Sequence, residues 1–106
     1  MEATNQTTAT EGVYAVDYQN CINFSGEHFS ETAVIEFEVS EAVKPGQLCI
    51  YKIEGMSKFG LAHLSEKTDD GVIFEFTEGG KKSKSEFTPF NKVKNLYRVD
   101  SSYNGY

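Results

Sequence analysis

Residues 43–64 read VKPGQLCIYKIEGMSKFGLAHL, and this stretch decides the fold. Lys44-Pro45-Gly46 places proline at the second position of a turn and glycine at the third, the residue types a type II turn requires. Leu48 to Ile53 follows as a strand apolar on both faces, the pattern of a central strand or of one covered on its second side. Gly55 and Gly60 flank Met56-Ser57-Lys58, so the link to the next apolar strand, Phe59 to Leu64, can be tight or bulged without steric penalty.

Outward from this centre the chain keeps reading as strands. Thr32 to Val39 alternates, with Ile35, Phe37 and Val39 on one side and Glu36, Glu38 and Ser40 on the other, so one face is buried and one is wet. Asp69-Asp70-Gly71 is a turn signal that makes Phe59 to Leu64 and Gly71 to Thr77 a hairpin. Val13 to Tyr18 and Cys21 to Phe24 are short apolar runs, a hairpin or two parts of one bent strand. Gly79 to Ser85 reads as a flexible basic loop, Phe87 to Phe90 as an aromatic return and Val93 to Val99 as the final strand. Gly26 to Ile35 alone has a loose helical spacing, through Phe29, Ala33 and Val34. The expectation is an all-β domain, a small twisted sheet or partly open barrel of six or seven short strands. It spans residues 12–100, between polar tails at 1–11 and 101–106.

Composition bounds what such a domain does. In 106 residues, 39% hydrophobic and 25% charged, there is material for one modest core. Residues 1–80 carry fourteen acids against four bases, whereas residues 81–98 carry six bases against one acid. An acidic body with one basic segment disfavours direct nucleic-acid binding, which needs clustered Lys and Arg. Lys81, Lys82 and Lys84 with Phe87 and Phe90 nearby are too few charges to reverse that. Cys21 and Cys49 are too few and too far apart for a disulfide framework or a zinc site and read as buried thiols. No apolar run reaches the roughly 18 residues of a membrane span, and the polar opening does not read as a signal peptide. A cytoplasmic protein without cofactor or metal is expected.

The order of parts from Val39 to Val99 resembles the self-cleaving C-terminal domain of LexA, UmuD and the phage repressors. That family's strand, Pro-Gly turn, apolar strand, hinge and further strand are matched here by Ile35 to Val39, Lys44-Pro45-Gly46, Gln47 to Ile53, Glu54 to Gly60 and Leu61-Ala62-His63-Leu64. Asn95-Leu96-Tyr97-Arg98-Val99 falls where a closing strand is expected. The resemblance implies a serine nucleophile, for which Ser25 is the candidate, and a neutral lysine to take its proton. The lysine position is Ala62, and Lys58 lies in the hinge, where it is solvated. A silent domain used for association or regulation, in a phage or mobile-element setting, is what the resemblance then implies.

Other chemistry is thin in the sequence. His63 alternates with Leu61 and Phe59 and reads as a partly buried imidazole; His28 with Glu27 and Glu31 forms one weak polar cluster. Cys49 and His63 could pair as thiolate and base, but Cys49 lies in an apolar run that disfavours the thiolate. No catalysis is expected. Two surfaces remain as partner sites. Glu36, Glu38 and Glu41, extended by Glu27 and Glu31, could imitate a phosphate backbone and occupy a host DNA-binding protein or nuclease. Leu96, Tyr97 and Val99 on the last strand could join two copies into a homodimer. Protein association is the leading expectation and the acidic inhibitor the alternative.

Overall fold

The computed structural model describes residues 13–39 and 42–103. Among the described residues nine strands are formed: β1 (Val13–Asp17), β2 (Cys21–Asn23), β3 (Val34–Glu38), β4 (Leu48–Ile53), β5 (Phe59–Lys67), β6 (Gly71–Glu78), β7 (Lys81–Lys84), β8 (Thr88–Pro89) and β9 (Val93–Tyr103). Single 3-10 turns at Tyr18–Asn20 and Phe90–Lys92 lead into β2 and β9. All nine belong to one sheet in the order β1-β3-β9-β4-β5-β6-β7, which is not closed into a barrel. Two short strands lie off this path, β2 on β5 and β8 on β6.

The turns do what their residues require. Gly46 has φ 91°, and Gln47 N donates to Lys44 O at 3.1 Å, which closes the turn set up by Pro45. Between β5 and β6, the Thr68 hydroxyl accepts from the amides of Asp70 and Gly71. Gly79 and Gly80, with φ 58° and 83°, make the two-residue link that suits the right-handed twist of β6 and β7. Residues 81–84 are therefore an edge strand and not the loop their lysines suggested: Thr77 pairs with Lys82 and Glu78 with Lys81.

Long-range pairing departs from the sequence expectation in three places. β1 and β2 do not pair; β1 runs antiparallel to β3, while β2 runs parallel to the start of β5. Phe24 then bridges the gap where β5 and β6 diverge, donating from N to Leu61 O and accepting at O from Thr77 N, both at 2.7 Å. The last strand extends to Tyr103 and lies between β3 and β4. Residues 26–33 form no helix, because the segment is tied down by contacts to strands: Phe29 and Ala33 are buried against Ile35 and Leu61.

β4 sits at the middle of the sheet and feeds both of its faces, as its two-sided apolar pattern predicts. Cys49 and Tyr51 join Ala62, Leu64, Val72 and Phe74 on one side. Ile50 joins Ile35, Phe37 and Leu61 on the other, closed over by Phe29 and Ala33. Tyr51 stacks on Phe74 at 4.2 Å between centroids and lies over Gly60, its partner across the β4–β5 ladder.

Candidate functional site

A cleft of about 430 Å³ opens beside β5 and β6, lined by Ser25, Glu27, Gly46, His63, Glu75 and Lys82, with Gly26 and Thr77 between them. Cross-strand register builds its floor: His63 stands opposite Glu75, and Thr77 opposite Lys82. The 23–27 loop makes one wall. Gly26, at φ 80°, packs so tightly on Thr77 that an added Cβ would lie 2.6 Å from the Thr77 methyl. The Pro-Gly turn makes the opposite wall, fixed by Gly46 N donating to Leu64 O.

Ser25 is buried, and its hydroxyl is fully engaged. It donates to Asn23 Oδ1 at 2.6 Å and accepts from Glu27 N at 3.1 Å. Asn23 also takes the Ser25 amide and donates through Nδ2 to Glu27 O. One side chain thereby holds the whole loop, and the proton a nucleophilic serine would have to lose is held by an amide oxygen that is no base. His63 Nε2 faces Glu27 Oε2 at 3.6 Å, not the serine. Ala62, where the resemblance expects a lysine, is buried beside Cys49 in the core, on the face of β5 opposite to His63. Lys58 is exposed in the hinge and is no part of the cleft.

The same alternation separates Cys49 from His63. Cys49 stands opposite Ala62, so its thiol enters the core while the imidazole enters the cleft. Burial pushes the Cys49 thiol up to about 12, and burial, followed by the charge of Asp17 and partly offset by Lys58, takes Cys21 to about 11. Both thiols stay protonated at neutral pH. Among the described residues, no three His, Cys, Asp or Glu side chains converge where a metal could sit.

The acidic row does not gather on one surface. Glu27 faces His63, Glu31 lies beside Asp17 in a separate shallow pocket, and Glu36 and Glu38 are half-buried on β3. Glu38 stands opposite Arg98 across the ladder, an opposite-charge pair. Glu41 lies outside the described residues. On β9, Leu96 packs against the first core, and Tyr97 and Val99 against the second. Tyr97 stacks on Phe37 at 5.2 Å and receives a hydrogen bond from Asn95 Nδ2. β9 pairs with β4 over Val93 to Arg98 and with β3 over Arg98 to Tyr103, so the strand that closes the chain in sequence lies inside the sheet and not at its end.

Among the described residues, the strand order ends at β1 and β7, and these two differ in kind. All four residues of β7 are exposed, three of them lysines, and Lys84 reaches Glu66 at 4.0 Å. Lysine-studded edges resist the addition of another strand. β1 reads Val-Tyr-Ala-Val-Asp, uncharged until its last residue, with Tyr14 half exposed and stacked on Phe37. Sequence reasoning missed this surface, although the charge-free alternation of Val13 to Val16 was its signal. Glu75 and Lys82 were missed as cleft residues for want of any local signal, since only the sheet register assembles them.

Comparison with protein-family models, with curated proteins and with solved structures finds no match to this chain.

Proposed function

We propose that this domain is a non-catalytic protein-association module whose working surface is the unguarded β1 edge. The observation that carries the reading is the contrast between the two sheet edges: β7 bears three exposed lysines, while β1 bears an exposed tyrosine and no charge before Asp17. Extended segments bind such edges by adding a strand, with main-chain hydrogen bonds giving affinity and alternate side chains giving specificity. The engaged hydroxyl of Ser25 and the buried thiol of Cys49 support the absence of catalysis. The setting is the regulatory, phage or mobile-element one that the resemblance to the LexA-type domain implies, with the family's cleavage chemistry lost.

The acidic-inhibitor reading has less behind it, because Glu27, Glu31 and the β3 pair point to separate places and Glu38 already faces Arg98. One experiment separates the two. Partners cross-linked to the wild-type protein in a lysate of its source cell are compared with those of Tyr14→Lys and of Glu36→Gln/Glu38→Gln. Loss with Tyr14→Lys alone supports the strand-edge module. Loss with the double Gln variant, together with binding that weakens steeply as salt rises, overturns it in favour of the inhibitor.

A further inference from the structure

We propose that the cleft beside β5 and β6 is a binding site for a small zwitterion, with Glu75 taking the ligand's ammonium group and Lys82 its carboxylate. Both side chains line the cleft, and the register puts them on one face of the sheet: Lys82 stands opposite Thr77, two residues on from Glu75. They are diagonal neighbours, roughly 7–8 Å apart at the backbone. Yet the two do not pair with each other. Among the described residues, neither the Glu75 carboxylate nor the Lys82 ammonium has a hydrogen-bond or ion-pair partner. The charges that could satisfy Glu75 are engaged elsewhere: Lys84, directly opposite it, reaches Glu66 at 4.0 Å, and His63 faces Glu27 at 3.6 Å.

Two opposite charges left open in one concavity are complementary to a ligand that carries both. A simple cation gains at Glu75 but is repelled by Lys82, and a simple anion the reverse, so only a molecule with both groups gains at each end. Glu75 is half-buried, so solvent screens its carboxylate less than the exposed Lys82 ammonium, and it is the stronger anchor. Glu27, held on the His63 side, adds negative potential where the ligand's ammonium group sits. The cleft stays open because both walls carry glycine: Gly26 and Gly46 have φ of 80° and 91°, and no side chain enters from either position. Its volume of about 430 Å³ admits an amino acid or a short peptide. Among the described residues no apolar side chain lines it, so a lipid or an aromatic ligand would have nothing to bury against.

Diglycine is the probe, titrated at constant ionic strength into isotope-labelled protein while the amide signals of Glu75, Thr77 and Lys82 are followed. Two partly solvated charge pairs make a weak site, with half-saturation expected on the order of 1 mM. N-acetylglycine, which lacks the ammonium group, and glycinamide, which lacks the carboxylate, should each bind at least about tenfold more weakly. Glu75→Gln should weaken diglycine at least about tenfold without weakening N-acetylglycine. Lys82→Met should weaken diglycine to the same degree without weakening glycinamide. Lys82 is exposed and Glu75→Gln keeps the shape of the side chain, so both variants should fold, which circular dichroism checks. Glycine and triglycine in the same titration separate the two sources: the tightest fit for glycine assigns a free amino acid, and for diglycine or triglycine a peptide. Cleft amides that do not move up to about 50 mM diglycine, half-ligands that bind as well as diglycine, or an affinity indifferent to either substitution overturns the assignment.

Discussion

Gly60→Ala is a small change that the structure makes expensive. Gly60 has an ordinary backbone conformation, and alanine in a strand interior would normally gain about 0.5–1 kcal/mol over glycine. Here the new Cβ would lie 2.5 Å from Tyr51 Cζ and 2.7 Å from Cε1. The ring cannot swing aside cheaply, because Tyr51 is buried and its other face lies against Phe74, itself fully buried. Overpacking of this kind costs about 1–3 kcal/mol. After the propensity gain, a net loss of about 1–2 kcal/mol remains, or roughly 4–16 °C in Tm for a domain of this size. Urea denaturation should show a lower midpoint with an unchanged slope. The mechanism is tested by a double-mutant cycle. Tyr51→Leu is destabilising alone through lost burial and stacking, but Gly60→Ala should be harmless or mildly stabilising when added to Tyr51→Leu, giving a coupling of at least about 1 kcal/mol. A Gly60→Ala protein as stable as wild type, or a cycle with no coupling, would refute the placement of the Tyr51 ring over Gly60.

Three further outcomes are expected. Asn23→Ala should cost about 1–3 kcal/mol in urea denaturation, because it orphans the amide and hydroxyl of buried Ser25 together; a loss under about 0.5 kcal/mol would show that the loop is held otherwise. Stability should fall above pH 9: the unfolded thiol ionises there, while Cys49 keeps its proton up to about 12 and Tyr51 is raised in the same direction, again by burial first. The contribution is whole below pH 9 and is lost by about 1.4 kcal/mol per unit as pH rises toward 12, so denaturation midpoints at pH 8 and 10.5 that coincide would contradict it. Incubation at pH 10 should give no self-cleavage fragments, since Ser25 Oγ donates to Asn23 Oδ1, an amide oxygen that is no base, while His63 faces Glu27; fragments that vanish in Ser25→Ala would sink the claim.

Local chemistry in the sequence determined the strands and their turns. Pro45-Gly46 wrote a turn with a left-handed glycine, Asp69-Asp70-Gly71 a hairpin, and the two-sided apolar run from Leu48 to Ile53 a strand at the centre of the sheet. Each depends on residues adjacent in the chain, whose allowed backbone angles and side-chain period are intrinsic. The basic segment after Gly80 was misread because lysines describe solvent exposure, and an edge strand is as exposed as a loop. The tertiary structure alone decided that β9 inserts between β3 and β4, that β2 pairs parallel with β5, and that Ser25, His63, Glu75 and Lys82 share a cleft. It also decided which strands end the sheet among the described residues. Pairing between strands distant in sequence is set by which faces and backbone edges can be buried at once, a condition on the whole sheet that no single segment records.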